Sequence, residues 1–339
     1  MKLPYSSFPF FLGFLITLWL TGCQPNNEND ALENDPSQTT SRRSAPVPKF
    51  ERDTAYTFVE KQLSFGPRAP ETEAHRQCGD WLAAQLRKYG AAVIEQTFQA
   101  EAYTGEKLNG RNIIGQFNPQ ANKRILLAAH WDTRPMADSP QADKSRENEP
   151  IPGADDGASG VAVLLEIARQ LQQNPIDMGV DIIFFDLEDY GERGGKAETW
   201  ALGSQYWARN LHRGGYNPDY GILLDMVGAK NARFAKEQIS MQYAPQLVNK
   251  IWELAGNMGY GNYFIQARGG TVTDDHYFVN TIANIPMIDI INQSTATETG
   301  FGEYWHTHGD DIDIISKRTL RAVGQVVLAA VYRENNGSL

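Results

Sequence analysis

The stretch Val180-Asp-Ile-Ile-Phe-Phe-Asp186-Leu-Glu188-Asp189 decides how this chain folds. A near-continuous apolar run of this length, rich in Ile and Phe, suits a strand buried on both faces of a sheet rather than one with a wet face. It stops abruptly at acids. Two further runs stop in the same way: Arg124-Ile-Leu-Leu-Ala-Ala ends at His130-Trp131-Asp132, and Tyr220-Gly-Ile-Leu-Leu ends at Asp225. In an open α/β sheet the carboxyl ends of neighbouring strands converge on one crevice. These side chains therefore predict a metal-dependent active site at that edge.

Working outward, Gly153-Ala-Asp155-Asp156-Gly-Ala-Ser-Gly160 opens a helix pattern from Val161 to Leu171, which places Asp156 in a tight turn at a helix start. An Asp there also suits an N-cap, and Asp155 competes with it for any ligand role. His306, in Trp305-His306-Thr307, lies in a polar, Gly-rich loop beyond the last apolar run, Pro286 to Ile291. Carboxylate oxygen and neutral imidazole suit zinc, and a catalytic zinc takes about three protein ligands while keeping one position open. Asp156, Asp189 and His306 make such a set. In extended chain the adjacent Glu188 and Asp189 point to opposite sides, so one binds metal while the other faces substrate as general base.

In this ordered series the sequence resembles the zinc aminopeptidase superfamily (peptidase M28), which also contains the animal-type glutaminyl cyclases, and the cyclases match better. The motifs are His130-Trp-Asp132, Gly153-Ala-Asp-Asp156, Phe184-Phe-Asp-Leu-Glu188-Asp189, Leu223-Leu-Asp225-Met-Val-Gly-Ala, Asp274-Asp-His276 and Trp305-His306-Thr307. The last two favour a cyclase over an aminopeptidase. One departure is visible: Asp189 stands where the animal enzymes have a second Glu, which bears on metal geometry.

The resemblance implies a three-layer α/β/α sandwich with a central mixed, mostly parallel sheet. It implies one zinc per chain, Zn2+ on Asp156, Asp189 and His306, with Glu188 as general base. Asp225 and Asp274 would hydrogen-bond to each other, share a proton and stabilise the ammonia-expelling intermediate. Trp305 would line an apolar pocket beside the metal; Trp200 and Trp131 are weaker candidates of the same kind, and because the cyclases vary over Gly191–Leu202 the resemblance carries no role to Trp200; core packing is the alternative for each. His130 is a possible ligand of a second metal, as in two-zinc aminopeptidases, and His276 is structural support. The implied reaction converts N-terminal glutamine of a peptide or protein to pyroglutamate with loss of ammonia. A two-zinc aminopeptidase and a non-catalytic binding protein on the same fold are the rival readings.

The 339 residues, 41% of them hydrophobic, can bury one full core. A formal charge of −10 without a basic run argues against a nucleic-acid partner. At the N-terminus, Lys2 and the apolar Phe8–Leu20 form a core too short for the ~20 residues of a spanning helix. Leu20-Thr-Gly-Cys23 resembles a bacterial lipoprotein cleavage box. Residues 1–22 then read as a signal peptide and 23–49 as a disordered tether, with 50–339 as the catalytic domain. The implied location is an exported lipoprotein on the periplasmic side of a membrane, held by lipid on Cys23. With Cys23 acylated only Cys78 is left, so no intrachain disulfide forms. Cys78 sits in a helix pattern, Glu71 to Tyr89, as an inert core thiol.

Further helices are expected at Arg52–Leu63, Pro245–Met258 and Lys317–Tyr332, and strands near Val93–Gln99 and Asn112–Gln116. Pro135–Pro152 has no apolar period and reads as a loop over the site. His75, His212 and His308 read as surface residues.

Overall fold

A computed structural model describes residues 46–339. In chain order its elements are α1 (Arg52–Leu63), α2 (Glu73–Lys88), β1 (Ala92–Glu101), β2 (Lys107–Phe117), β3 (Arg124–His130), α3 (Ala158–Gln173), β4 (Gly179–Phe185) and α4 (Leu202–Arg209). There follow β5 (Gly221–Asp225), β6 (Phe234–Lys236), α5 (Gln238–Tyr243), α6 (Pro245–Asn257), β7 (Phe264–Arg268), α7 (Asp275–Ile282), β8 (Met287–Ile291) and α8 (Lys317–Asn336).

The six-stranded sheet has the order β1-β2-β4-β3-β5-β8. β2 runs antiparallel to β1 and β4, whereas β4, β3, β5 and β8 are parallel. These four parallel strands are buried at every residue, as helices on both faces require. Alternate residues divide between two cores. Leu127, Ala129, Ile182, Phe184 and Leu224 pack with α1, α2, α3, α6 and α8, while Leu126, Ala128, Ile183, Phe185 and Leu223 pack with Trp207 of α4 and Val279 of α7. This is the expected α/β/α sandwich. The chain passes from β3 to β4 on one side, then returns to place β5 on the other, so the crevice beyond β4, β3 and β5 is the switch point where such sheets bind ligands.

α1 has the expected bounds, and α2 starts at Glu73 because the Thr72 side chain accepts from His75 N. α3 begins three residues before Val161 and α8 runs on to Asn336, where Gly337 closes it in the left-handed region at φ 74°. α4 and α7, at eight residues each, are too short to show a helical period in sequence. Pro135–Pro152 does not cover the site. Its Ala137, Ala142 and Ile151 form a small core of their own, and Ser139 N donates to His306 O at 3.3 Å, so the segment buttresses the site backbone.

Val47 packs on the core and Pro48 O accepts from Gln325 Nε2 at 3.0 Å, so packing begins slightly before Phe50. Cys78 is buried, and burial pushes its thiol up to about 12, which keeps it inert. Among the described residues no helix is long and apolar enough to cross a membrane. The signal segment, Cys23 and most of the expected tether lie outside the described residues.

Candidate active site

His130 is the last residue of β3 and Asp225 the last of β5, so both reach the crevice directly from strand ends. Glu188 and Asp189 arrive differently. β4 stops at Phe185, and Leu187 takes a left-handed conformation at φ 55°, so a turn rather than strand alternation separates the two acids. Asp132 fixes that turn: Oδ1 accepts from Glu188 N and Oδ2 from Asp189 N, each at 3.1 Å. Asp186 serves the fold, pairing with His75 Nε2 at 2.8 Å and accepting from Arg111 N at 2.7 Å.

The Gly153–Asp156 turn is clamped from outside. Asp310 accepts from Asp155 N at 2.7 Å and from Asp156 N at 3.1 Å, while Arg68 donates to the carbonyls of Pro152 and Gly153. A methyl on Gly157 would fall 2.4 Å from His130 O and 2.6 Å from its ring, so only glycine lets this turn approach β3 so closely. The competition between Asp155 and Asp156 is resolved by their partners. Asp155 accepts from Tyr304 OH at 2.5 Å and Gly228 N at 2.6 Å and faces the fold; Asp156 faces the crevice. The residue capping α3 is Gly157, so Asp156 is not its cap.

Asp156, Asp189 and His306 are all buried, and each offers one ligand atom within 4.8 Å of the others. His306 Nε2 stands 3.1 Å from Asp189 Oδ1 and 3.8 Å from Asp156 Oδ2. Its Nδ1 meets Asp138 Oδ1 at 2.9 Å, and Asp138 Oδ2 accepts from Arg134 Nη2 at 2.6 Å. Burial works against the Asp138 charge, but His306 and Arg134 hold its carboxyl well below the usual range. Asp189 Oδ2 is buried with no hydrogen-bond partner. An orphaned carboxylate oxygen is costly unless a cation takes it. Two carboxylates and an imidazole braced by a second carboxylate are the donors a catalytic zinc uses, so these residues fit that ion.

His130, Asp156 and Asp225 form a second buried group that shares Asp156. Here His130 Nε2 lies 3.0 Å from Asp156 Oδ1 and 3.2 Å from Asp225 Oδ1. The expected hydrogen bond between Asp225 and Asp274 does not form. Asp274 is held as the N-cap of α7, its Oδ1 accepting from Asp275 N at 2.5 Å, and its Oδ2 has no partner, while Asp225 bonds to His130. Like charge still links the two acids. Burial, then the neighbouring Asp156 and Asp274 carboxylates, pushes Asp225 up to about 8. Burial and then Asp274 raise Glu188 well above the ordinary carboxylate range. His276 Nε2 meets Glu237 Oε2 at 3.1 Å, and His276 also forms a third buried group with Asp274 and Asp289, their ligand atoms within 4.8 Å of one another.

Two of the three expected tryptophans are at the site. Trp305 stacks on the His306 ring with centroids 3.6 Å apart, and Trp200 lies at 6.2 Å from the same ring. The Arg134 guanidinium sits 4.8 Å from the Trp200 centroid, and a methyl on Gly191 would come within 2.0 Å of that indole. Both tryptophans, with Glu188, Asp225 and Asp274, line a cavity of about 820 Å³. Trp131 does not belong here. It is fully buried, stacks on His75 at 4.2 Å and donates from Nε1 to Arg111 O, because residues beyond His130 turn into the layer under α2. His75 is correspondingly buried rather than on the surface, and His212 and His308 are half-buried.

Arg134, Asp138 and Asp310 are site residues that sequence reasoning missed. They lie in polar stretches without periodicity; Asp132 alone carried a signal, through its place in the His130-Trp-Asp132 motif.

Sandwich and site together define a metal-dependent enzyme of the α/β class. Residues 112–331 match the model of Peptidase family M28, and the chain belongs to that family. A solved glutaminyl cyclase from Porphyromonas gingivalis is 53% identical and superposes with a TM-score of 0.82, covering 86% of this chain and 100% of that one. A Zn-dependent exopeptidase from Parabacteroides distasonis is 51% identical with the same TM-score of 0.82, covering 85% of this chain and 99% of that one. Aminopeptidase YwaD of Bacillus subtilis is 29% identical over 292 residues, which is 82% of this chain but 56% of that protein. The chain thus spans little more than half the length of this relative.

Proposed function

We propose that this protein is a zinc-dependent glutaminyl-peptide cyclotransferase, converting N-terminal glutamine of peptides to pyroglutamate with release of ammonia. The observation that carries the reading is the pair of indoles, Trp305 and Trp200, set beside His306. They wall a pocket suited to one folded-back side chain, with Glu188 exposed to it. Asp156, Asp189 and His306 would hold the zinc, which when bound would supply Lewis-acid polarisation of a carbonyl oxygen.

The side chains do the rest. The pocket walls fold the glutamine side chain back on its own α-amine, so orientation carries much of the rate. The amine nitrogen bonds to the carbonyl carbon (Cδ) of the side-chain amide. Glu188 accepts a proton from that nitrogen and returns it to the departing amide nitrogen as the carbon–nitrogen bond breaks, leaving the lactam and ammonia. Burial beside Asp274 raises the basicity of Glu188, which suits this double role near neutral pH. Asp225 and Asp274 face the same space and accept hydrogen bonds from the amine and the leaving group.

One zinc per chain is part of the proposal. In the second group His130 Nε2 is hydrogen-bonded to Asp225 Oδ1 and lies 3.0 Å from Asp156 Oδ1, whereas the first leaves Asp189 Oδ2 without a partner. A two-zinc aminopeptidase is the second reading, favoured by the completeness of that second group. Pure protein offered a Gln-initiated peptide and an amino-acid anilide, each with and without chelator, separates the two. Chelator-sensitive ammonia release from the peptide is expected; anilide cleavage without ammonia release overturns the reading.

We further propose export and anchoring through lipid on Cys23, supported by Leu20-Thr-Gly-Cys23 and the polar residues that follow it. Cys23→Ser is expected to abolish lipid labelling and move the protein from the membrane fraction, and a chain starting near Ser44 to keep full activity. Unchanged membrane partition of Cys23→Ser would reject the anchor.

A further inference from the structure

The charged residues lining the cavity divide into two sets. Every acid among them, Asp156, Glu188, Asp189, Asp225 and Asp274, belongs to the catalytic floor. The remaining charges are cations, Arg193, Lys230, Arg233 and Arg268, and all four are exposed. In a chain with 41 Asp and Glu against 31 Lys and Arg, a cavity rim of four cations and no acid runs against composition.

These cations are also unspent. Elsewhere exposed cations such as Arg76, Arg146 and Lys317 pair with Glu73, Glu149 and Asp53. Among the described residues none of the four rim cations forms an ion pair. Arg193 donates to Asp138 O at 2.9 Å, Lys230 to Asp313 O at 2.5 Å, and Arg233 to Asn231 O at 3.1 Å and Ala232 O at 2.9 Å. These carbonyls position the side chains and leave the charge uncompensated. Arg233 precedes β6 and Arg268 ends β7, the two strands of a small parallel sheet, so these two are mounted on paired backbone.

We propose that the rim selects acidic peptides, preferring substrates that carry Asp or Glu within the three residues that follow the N-terminal glutamine. The inference rests on the cyclotransferase reading above. With the glutamine at the floor, an extended peptide leaves through the mouth at about 3.3 Å per residue, so its next three residues cross about 10 Å of rim. Unpaired cations there attract carboxylates and repel lysines, and the acidic outer surface gives them no competing partners within the cavity. Such charges act on encounter and binding, so the effect belongs in KM. The residues are specificity-determining and touch no reacting atom.

The test compares Gln-Ala-Glu-Glu, Gln-Ala-Gln-Gln and Gln-Ala-Lys-Lys amides on the metal-loaded full chain. At low salt, kcat/KM is expected to be about tenfold higher for the Glu peptide than for the Lys peptide, with kcat similar, and the ratio to shrink to about twofold in 0.5 M salt. Arg233→Glu combined with Arg268→Glu is expected to collapse or invert the low-salt ratio. Turnover of the neutral peptide with equal kcat/KM for all three, a preference for the Lys peptide, or a salt-independent ratio overturns the inference and leaves the cyclotransferase reading standing. Failure to release ammonia from any of the three sinks that reading instead. The salt titration uses the unaltered enzyme, so a double variant that does not fold leaves the question decided.

Discussion

Asp138 is the sharpest place to test the metal centre, because nothing marks it in the sequence and it touches no ligand atom of the set. Its Oδ1 meets His306 Nδ1 at 2.9 Å, its Oδ2 takes Arg134 Nη2 at 2.6 Å, and its side chain is only 15% exposed. In Asp138→Asn the amide oxygen can still accept from His306, but the NH2 group then faces the Arg134 fork, donor against donor. Turning the amide round satisfies Arg134 and aims a donor at His306. Either way one charge-assisted hydrogen bond, worth about 1.5–3 kcal/mol in a buried setting, is lost. Groups that hydrogen-bond the far nitrogen of a metal-binding histidine change affinity by about 10–100-fold, or roughly 1.4–2.7 kcal/mol, and the two figures agree. Arg134 keeps the carbonyls of Asp189 and Gly191, at 3.0 and 2.7 Å, and the fold should survive. Competition against a graded series of chelators should show zinc affinity weakened by about 10–100-fold, with a melting temperature of the metal-free protein close to that of the parent. Zinc affinity within twofold of the parent, in a folded variant, would refute the argument that Asp138 orients His306 for a metal.

Glu188→Gln keeps size but cannot take a proton, so turnover should fall at least ~100-fold with zinc retained, while Asp189→Asn should lose zinc; reversed outcomes would exchange the two roles. Elemental analysis after gentle dialysis should find close to one zinc per chain, and two zincs, both required for activity, would favour the aminopeptidase. Glu237 concerns stability: burial opposes its charge, but hydrogen bonds from His276, Ser240 N and Ile239 N lower it from 4.5 to about 2. A depressed carboxyl stabilises the fold above its unfolded value and loses that contribution as pH falls toward the folded one, here on the order of 3 kcal/mol between about pH 5 and 2. The stability gap between the parent and Glu237→Gln should therefore narrow from pH 6 to pH 3, and a constant gap in denaturant titrations would exclude the linkage.

The parallel core of the sheet was legible because burial on both faces leaves no room for polar residues. The runs before His130, Asp186 and Asp225 announce both the strands and where they stop, and the stopping points are the site. What the sequence hid is of two kinds. The short helices α4 and α7 and the small β6–β7 sheet offer too few residues for a period to rise above chance, and they form because the larger sheet leaves a face for them to cover. The other hidden part is the support of the site. Trp131 shows the limit from one side: it stands between His130, which meets Asp225, and Asp132, which holds the Glu188–Asp189 turn, yet it stacks on His75 in the core.

Asp138 and Asp310 show that limit from the other side. Each sits in a polar stretch indistinguishable from solvated loop, and each is the brace that fixes a metal-site residue: His306 through its ring for Asp138, the Asp156 backbone for Asp310. Strand-end position is a property of one segment and can be read from it. Bracing is a property of two segments brought together, 168 residues apart for Asp138 and His306 and 154 for Asp310 and Asp156, and appears only once the fold has closed. The same holds for the rim cations, since Arg193 and Arg268 lie far apart in the chain and become one feature only around the cavity they share. Which residues gather at the crevice was therefore legible from local pattern, whereas the braces and rim charges around them come from contacts that the sequence does not place side by side.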